Sequence, residues 1–443
     1  MATETPLPFV DRLLQLLQHL GIERAHVAGA VPGDWRGLAT AHADRLASLS
    51  VVCPAGFDPA AVSGVASRVQ VIHGDQGPVA ERVRAAVGRV AEITLVTLAG
   101  YPGLLWADMA VERGEEIAPA LLDFVRRMEQ QHPSAVRALA PGAGEVAGLS
   151  YRVQGAGPPL VLLPLALATS QWEPLLPQLG KHVSTIVVAG PHAGIVPVLE
   201  GRGQAPGYVR MLRNLVDEVG LRPGERILEV GCGSGAMARW LAGHTGGAHP
   251  IMAVDINRYL LQEAQALART AGVQDVITFG EGNGEALALP DGRFDVTLSL
   301  TVLEEGDADR MLAELVRVTR PGGRVAAIVR GEDWPMQLAL PLREELRARV
   351  ARGMAAGVTE RGCADASLYR RFRAAGLTQV RSLPQLAVYD DPGSLMVQTY
   401  QGRGLGVLTP AELQEWQAAT AQVRTQGGFV LAVPHHCAVG TRA

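Results

Sequence analysis

The stretch RILEVGCGSG, Arg226 to Gly235, places Gly231, Gly233 and Gly235 at alternate positions behind an apolar run. Glycines at this spacing let the chain turn tightly, approach a ligand closely and pack a helix on a strand. The helix AMARWLAG follows, and its start offers free N–H groups to a carboxylate or phosphate. Asp255 ends the next apolar run, PIMAVDIN, where a carboxylate can accept hydrogen bonds from both hydroxyls of a ribose. The chemistry indicated is capture of a nucleoside-bearing ligand. A P-loop is excluded, because no Lys-Ser/Thr follows the glycines, and Ser234-Gly235 after Gly233 fits poorly with G-x-G-x-x-G. Near the C-terminus, His435 and His436 are candidate general bases, since a neutral imidazole titrates near pH 7. Neighbours in a strand point to opposite faces, so at most one of them faces a given pocket. The four cysteines (Cys53, Cys232, Cys363, Cys437) form no C-x-x-C pair, so neither a disulfide framework nor a metal site is expected.

These residues need elements to position them. A chain of 443 residues implies two to three domains. Residues 1 to about 135 alternate helix and strand: a helix over Phe9–Leu20, strands at Ala25–Ala28, Leu49–Val52, Val69–Ile72 and Ile93–Leu98, and a closing helix over Ala118–Glu129. An Ala/Gly/Pro-rich linker is expected from Ser134 to Gly148. Strands at Leu149–Val153, Leu160–Leu163 and Thr185–Val188 follow, with a helix over Gln171–Leu179 before the last, and then a second joint from Gly190 to Gly207. From Tyr208 onward helix and strand alternate again, ending in a strand expected to break around the two histidines. The class is α/β, with two doubly wound domains, residues 1–195 and 208–443.

Lys plus Arg is 40 and Asp plus Glu is 44, giving a net charge of −4, which argues against a protein that neutralises nucleic-acid phosphates. Only 5% of residues are aromatic, which disfavours a base-stacking platform. The most apolar run, Pro158 to Ala168, is far short of the roughly 20 residues of a spanning helix. No signal peptide is read at the N-terminus, and a cytoplasmic location without membrane association is expected.

The C-terminal succession resembles the class I S-adenosylmethionine-dependent methyltransferases, a Rossmann-like fold. EVGCGSG, Asp255, EGNGEALALP followed by DGRFDV, and RPGG (Arg320 to Gly323) stand in that family's order. The resemblance implies S-adenosyl-L-methionine as cofactor and a role for each matching residue. Gly231, Gly233 and Gly235 would face the methionine portion, and Glu229 would help fix its amino group. Asp255 would hold the ribose, with Ile256 packing on the adenine. Gly282, Asn283 and Gly284 fall where the family often has G-D-A, and the Asn283 amide oxygen can still accept from the adenine amino group. Leu300 would lie beneath the methionine portion, and Tyr208 could touch the cofactor carboxylate or serve the core. Many relatives read L-E-H after strand four; this chain reads Leu303, Glu304, Glu305, and both glutamates are expected on a solvated helix cap.

The front half resembles an α/β-hydrolase taken apart. Its nucleophile elbow would lie at Gly29 to Gly33, yet Val31 stands where the serine belongs. Gly77 occupies the acid's position and about Gly103 the histidine's, leaving Asp75 and His73 as the nearest polar residues, read as turn residues. The segment resembling a hydrolase beginning, with Pro164 near the oxyanion loop, follows the segment resembling its end. A circular permutation accounts for that order. A degenerate domain of this kind would act as scaffold, dimerisation surface or substrate-pocket wall.

Methyl transfer is an in-line displacement that holds the nucleophile about 3 Å from the methyl carbon and removes its proton if it has one. The expected function is methyl transfer to the O, N or C of a small molecule, in specialised metabolism, possible as a homodimer. The alternative is a cofactor-binding enzyme on the same fold that catalyses a cyclisation or rearrangement. Asp333, Trp334 and Met336 read as lid residues after strand five.

Overall fold

The computed structural model describes residues 7–102, 108–133, 139–190, 193–354, 358–394, 396–397, 399–401 and 408–443. The chain divides into two compact units, Met1–Pro197 and Val198–Ala443.

In the first unit the strands are β1 (Ala25–Gly29), β2 (Leu46–Val52), β3 (Val69–Gly74), β4 (Thr94–Leu98), β5 (Gly142–Val146), β6 (Leu149–Gln154), β7 (Pro159–Leu162) and β8 (Ser184–Ala189). They form one sheet in the order β4-β3-β2-β1-β7-β8-β6-β5. β4 through β8 along this order are parallel, while β6 runs antiparallel to β8 and to β5. β1, β2 and β3 are buried at every residue, as strands covered on both faces must be, and so read as unbroken apolar runs. Three expectations are corrected. Part of the first linker is β5, an edge strand joined to β6 by a two-residue turn in which Ala147 (φ 52°) and Gly148 (φ 75°) are both left-handed, the geometry of a type I′ hairpin. The helix expected over Gln171–Leu179 is instead a short 3₁₀ turn, Thr169–Trp172, and one α-turn, Leu176–Leu179. The second joint contains the helix Val196–Gln204.

In the second unit the strands are β9 (Ile227–Val230), β10 (Ile251–Asp255), β11 (Ile277–Glu281), β12 (Phe294–Leu300), β13 (Thr319–Arg330), β14 (Gln337–Leu338), β15 (Leu377–Ser382), β16 (Gln385–Tyr389) and β17 (Leu431–Arg442). The sheet order is β11-β10-β9-β12-β13-β17-β14, with β15 and β16 also paired to β17. The first five are parallel and β17 is antiparallel to β13. From β9 the chain winds outward one way through β10 and β11, and the other way through β12 and β13. Ligands of open α/β sheets bind at the carboxyl ends of strands at such a reversal. β17 runs unbroken through Pro434, His435 and His436, which corrects the interrupted strand expected from the sequence. Among the described residues no helix is long and apolar enough to cross a membrane.

One buried ion pair fixes the frame beneath the reversal. Arg324 of β13 donates to both carboxylate oxygens of Glu225, just before β9, and to the carbonyls of Val219 and Gly220, which end the helix Pro206–Val219. Both side chains are about nine-tenths buried. The Arg324 hydrogen bonds hold the Glu225 carboxyl below the ordinary range. Glu225→Ala would leave the guanidinium buried and uncompensated, so we expect it to lower the unfolding free energy of this unit by about 3–5 kcal/mol in urea titrations near neutral pH. A carboxyl with a lowered folded pKa contributes stability above its unfolded pKa and loses it as pH falls through the folded value. The difference between variant and wild type therefore shrinks in acid.

Candidate functional site

The site grows from the three glycines between β9 and the helix Ala236–His244. Gly231 (φ 79°), Gly233 (φ 53°) and Gly235 (φ 73°) all lie in the left-handed region. Space enforces the choice as well: a Cβ on Gly231 would meet Val302 at 2.3 Å, and one on Gly235 would meet Phe279 at 2.8 Å. The turn aims the Gly233 N–H at the Asp255 carboxylate, 2.7 Å away, while the Asn257 N–H reaches its other oxygen at 2.9 Å. Burial pushes the Asp255 carboxyl up, and these two bonds pull it back. Each oxygen keeps a second lone-pair direction.

Glu229, the third residue of β9, is buried. Burial first, then the charge of Asp255, push its carboxyl up to about 8. A buried acid held there is protonated at neutral pH and would ionise to meet a cation, so the residue fits a ligand that brings an ammonium group. Ile256, beside Asp255, is 64% exposed, an apolar side chain open to a planar ligand. Gly282 donates its N–H to the Asp255 carbonyl, tying the ends of β10 and β11 together. Asn283 is exposed, and its Oδ1 accepts the Glu285 N–H at 2.9 Å, so one lone pair of the expected adenine acceptor is engaged locally. Gly284 packs near Val230, and a Cβ there would lie 3.2 Å from that side chain. Leu300 is buried at the end of β12, followed by Thr301 in the left-handed region (φ 59°). Tyr208 is fully buried on the helix Pro206–Val219, with its ring edge-on to His435 at 6.0 Å.

Alternation sends the two histidines apart. His435 is buried, its Nδ1 lies 3.0 Å from the Val433 carbonyl, and burial lowers its pKa to about 3. The ring is thus held neutral near pH 7. His436 lies between the Tyr369 hydroxyl (Nδ1, 2.9 Å) and the Asp333 carboxylate (Nε2, 2.7 Å), with Trp334 edge-on at 5.1 Å. Burial is the largest single influence and pushes Asp333 up, but its hydrogen bonds to His436 and to the Ala366 N–H and the nearness of the His436 ring together leave the carboxyl below its ordinary value.

Two features escaped the sequence reading. The helix Val196–Gln204 lies on the glycine loop. Leu199 is 3.1 Å from where a Gly233 Cβ would stand, and Glu200 accepts from Ser234 Oγ at 2.6 Å and pairs with Arg239. Arg202 donates to Thr301 Oγ1 at 2.9 Å and lies over the Tyr208 ring at 5.3 Å. Glu304 is entirely buried rather than on a solvated cap, because the Arg330 N–H and the Thr359 N–H bind its carboxylate and carbonyl. A Glu and an Arg spaced among apolar residues were the available signal for the helix, masked by Pro197, Gly201 and Gly203. Among the described residues no three metal-binding side chains come together.

In the first unit, Val31 starts the helix Pro32–Ala41 from ordinary extended backbone (φ −87°, ψ 116°), and Gly77 starts the helix Gly77–Val87. Gly103 lies outside the described residues. His73 bonds the carbonyls of Gly74 and Pro54, and Asp75 accepts the Gly100 N–H, so neither addresses the other. A Ser48–His26–Glu129 chain does exist (2.7 and 2.9 Å), but Ser48 is sealed inside β2 and no acyl group can reach it.

Residues 228–327 match the family model described as a methyltransferase domain. The methyltransferase GfsG of Streptomyces halstedii is 32% identical over 126 residues, 28% of this chain and 45% of that protein. The ubiquinone/menaquinone biosynthesis C-methyltransferase UbiE of Vibrio cholerae is 32% identical over 117 residues, 26% of this chain and 45% of that protein. The chain thus spans less than half the length of these curated relatives. Among solved structures, the YcgJ protein from Bacillus subtilis aligns over 53% of this chain and 98% of its own, at 17% identity and a TM-score of 0.38.

Asp255→Asn puts an amide N–H against one of two backbone N–H donors and removes the charge. S-adenosylmethionine affinity should fall about tenfold or more by calorimetry. The His435 ring should show no titration by NMR between about pH 5 and 8, where an ordinary histidine does titrate.

Proposed function

We propose that this chain, whose C-terminal unit carries a class I S-adenosylmethionine-dependent methyltransferase domain, transfers the donor's methyl group to a small-molecule acceptor. The observation that carries the reading is the clasp of Asp255 by the Gly233 and Asn257 amides beside the buried acid Glu229. Such a pair suits a sugar diol and an ammonium group on one ligand. The glycine loop, Glu229, Asp255, Ile256, Gly282 to Gly284, Leu300 and Tyr208 are the residues we assign to the donor. When bound, the donor supplies an electrophilic methyl on a sulfonium. The protein's part is to orient it, exclude water and hold the acceptor in line. The name of the C-methyltransferase relative favours carbon as the receiving atom. Specialised metabolism, a cytoplasmic setting suited to four unpaired cysteines, and a homodimer that binds no nucleic acid complete the proposal.

For the first unit we propose a degenerate, permuted hydrolase-like scaffold. Its support is local: the Ala30 N–H bonds the Pro164 carbonyl at 3.1 Å, so the segment after β7 stands beside the strand-to-helix turn after β1. A hydrolase brings its oxyanion loop to its elbow in the same way. Val31 supplies no nucleophile there.

Calorimetry should detect S-adenosylmethionine binding to the full chain. Incubation of donor with an acceptor library should release S-adenosylhomocysteine together with a methylated product. Binding without S-adenosylhomocysteine release, coupled to acceptor conversion, would instead favour a rearrangement; no binding would remove the reading.

A further inference from the structure

At the carboxyl ends of β12 and β13, beside the donor residue Tyr208, lies a buried polar set whose acid and cation are not assigned to the donor. Glu304 is inaccessible to solvent; its Oε1 accepts the Arg330 N–H at 2.8 Å and its Oε2 has no hydrogen-bond partner. A buried carboxylate oxygen without a donor is costly unless something comes to meet it. The nearest cation does not discharge it. Arg330 stands 3.7 Å from Glu304, 3.8 Å from Glu305 and 3.7 Å from Glu332, so one guanidinium is shared among three carboxylates.

Within electrostatic range of Glu304 lie Arg202 and Tyr208. Arg202 meets the Thr301 hydroxyl and the Tyr208 ring rather than a carboxylate, and its Nε is sealed from solvent without an acceptor. Tyr389, also in range of Arg202, is buried with its hydroxyl unpartnered. His435, paired across the sheet with Arg330, is neutral. The set therefore holds an acid with an open oxygen, a cation with an open N–H and a buried phenol. Apolar residues from several elements, among them Leu338, Leu340, Trp416 and Phe429, belong to the same core as Tyr208 and Tyr389.

We propose that Glu304 is the proton acceptor of the methyl-transfer step and that Arg202 and Tyr389 receive the oxyanion it leaves, so that the acceptor is a phenol or an enolisable carbonyl compound. The proposal rests on the methyltransferase reading. The acceptor's O–H or α-C–H bond breaks and its proton goes to Glu304 Oε2. The freed electron pair, on oxygen or carbon, forms the bond to the methyl carbon. The methyl–sulfur bond breaks with its pair left on sulfur, giving S-adenosylhomocysteine, and Glu304 later returns the proton to water. Before and after proton transfer Arg202 faces one negative charge, first Glu304 and then the acceptor, so no net charge enters the buried space. Burial also pushes Glu304 up to about 7, where a carboxylate can both take and release a proton.

The test uses 4-nitrophenol, a phenol that is ionised at about pH 8, with the full chain saturated by S-adenosylhomocysteine. Calorimetry in two buffers of different ionisation enthalpy should show uptake of about one proton when wild type binds the phenolate, because Glu304 must protonate beside it. Glu304→Gln keeps the carbonyl acceptor for Arg330 and should bind the probe with no proton uptake. Arg202→Met should weaken probe binding at least about tenfold while S-adenosylhomocysteine affinity stays within about threefold. Equal proton uptake in wild type and Glu304→Gln, an indifferent Arg202→Met, or no binding of the probe to protein loaded with S-adenosylhomocysteine would each overturn the proposal. Failure of wild type to bind S-adenosylhomocysteine at all would mark failure of the methyltransferase reading instead.

Discussion

The bond from the Gly233 N–H to the Asp255 carboxylate is the constraint on which the site depends. It joins the ends of β9 and β10, strands that pair side by side but end in separate turns. It forms only because Gly231 and Gly233 adopt left-handed backbone, which rotates the amides toward β10. The same turn brings Gly231 against Val302, and so sets where the chain leaves β12. Without the two amide donors, Asp255 would be a buried carboxyl with every reason to hold its proton. The loop thus fixes position and charge together.

Charge in the neighbourhood is poised rather than spent. Burial raises Glu229, Asp255 and Glu304, each at the carboxyl end of a strand or just beyond it. The cations nearby are committed unevenly: Arg239 to Glu200, Arg330 among three carboxylates, and Arg202 to a hydroxyl and a ring. The frame contrasts with this. Glu225 and Arg324 saturate one another, and the same hydrogen bonds that stabilise the fold hold that acid down. In this unit the acid lowered by Arg324 holds the frame, while Glu229, Asp255 and Glu304 are raised by burial near the strand ends where a ligand would come.

What was legible follows from the range of the interactions. Most of the strands and the glycine turn are local patterns, written in apolar runs and in glycines, which adopt positive φ most readily. Opposite orientation of His435 and His436 follows from strand alternation, but the environment on each side does not. His435 is buried against Tyr208, among others, a residue more than two hundred positions earlier in the chain. Glu304 was misplaced for the same reason: its partners, Arg330 and Thr359, belong to later segments. The helix Val196–Gln204 was hidden by its composition. Gly203 lowers helix propensity, yet a Cβ there would lie 2.8 Å from Met237 and 2.9 Å from Ala236, so close packing onto the helix Ala236–His244 explains the glycine better than a flexible joint does.

The first unit shows why chain order is a weak constraint on a sheet. β1 lies between β2, the next strand in sequence, and β7, which the chain reaches only after four more strands. What holds β1 is pairing on both sides and burial on both faces, and neither depends on where the chain begins. A permuted order costs a new connection and two new ends, placed where the polypeptide is least committed to the core. β5 fits that description: an edge strand exposed through most of its length, directly after the Ala/Gly/Pro-rich stretch. The proposed rewiring therefore asks nothing of the buried strands that their own sequence does not already supply.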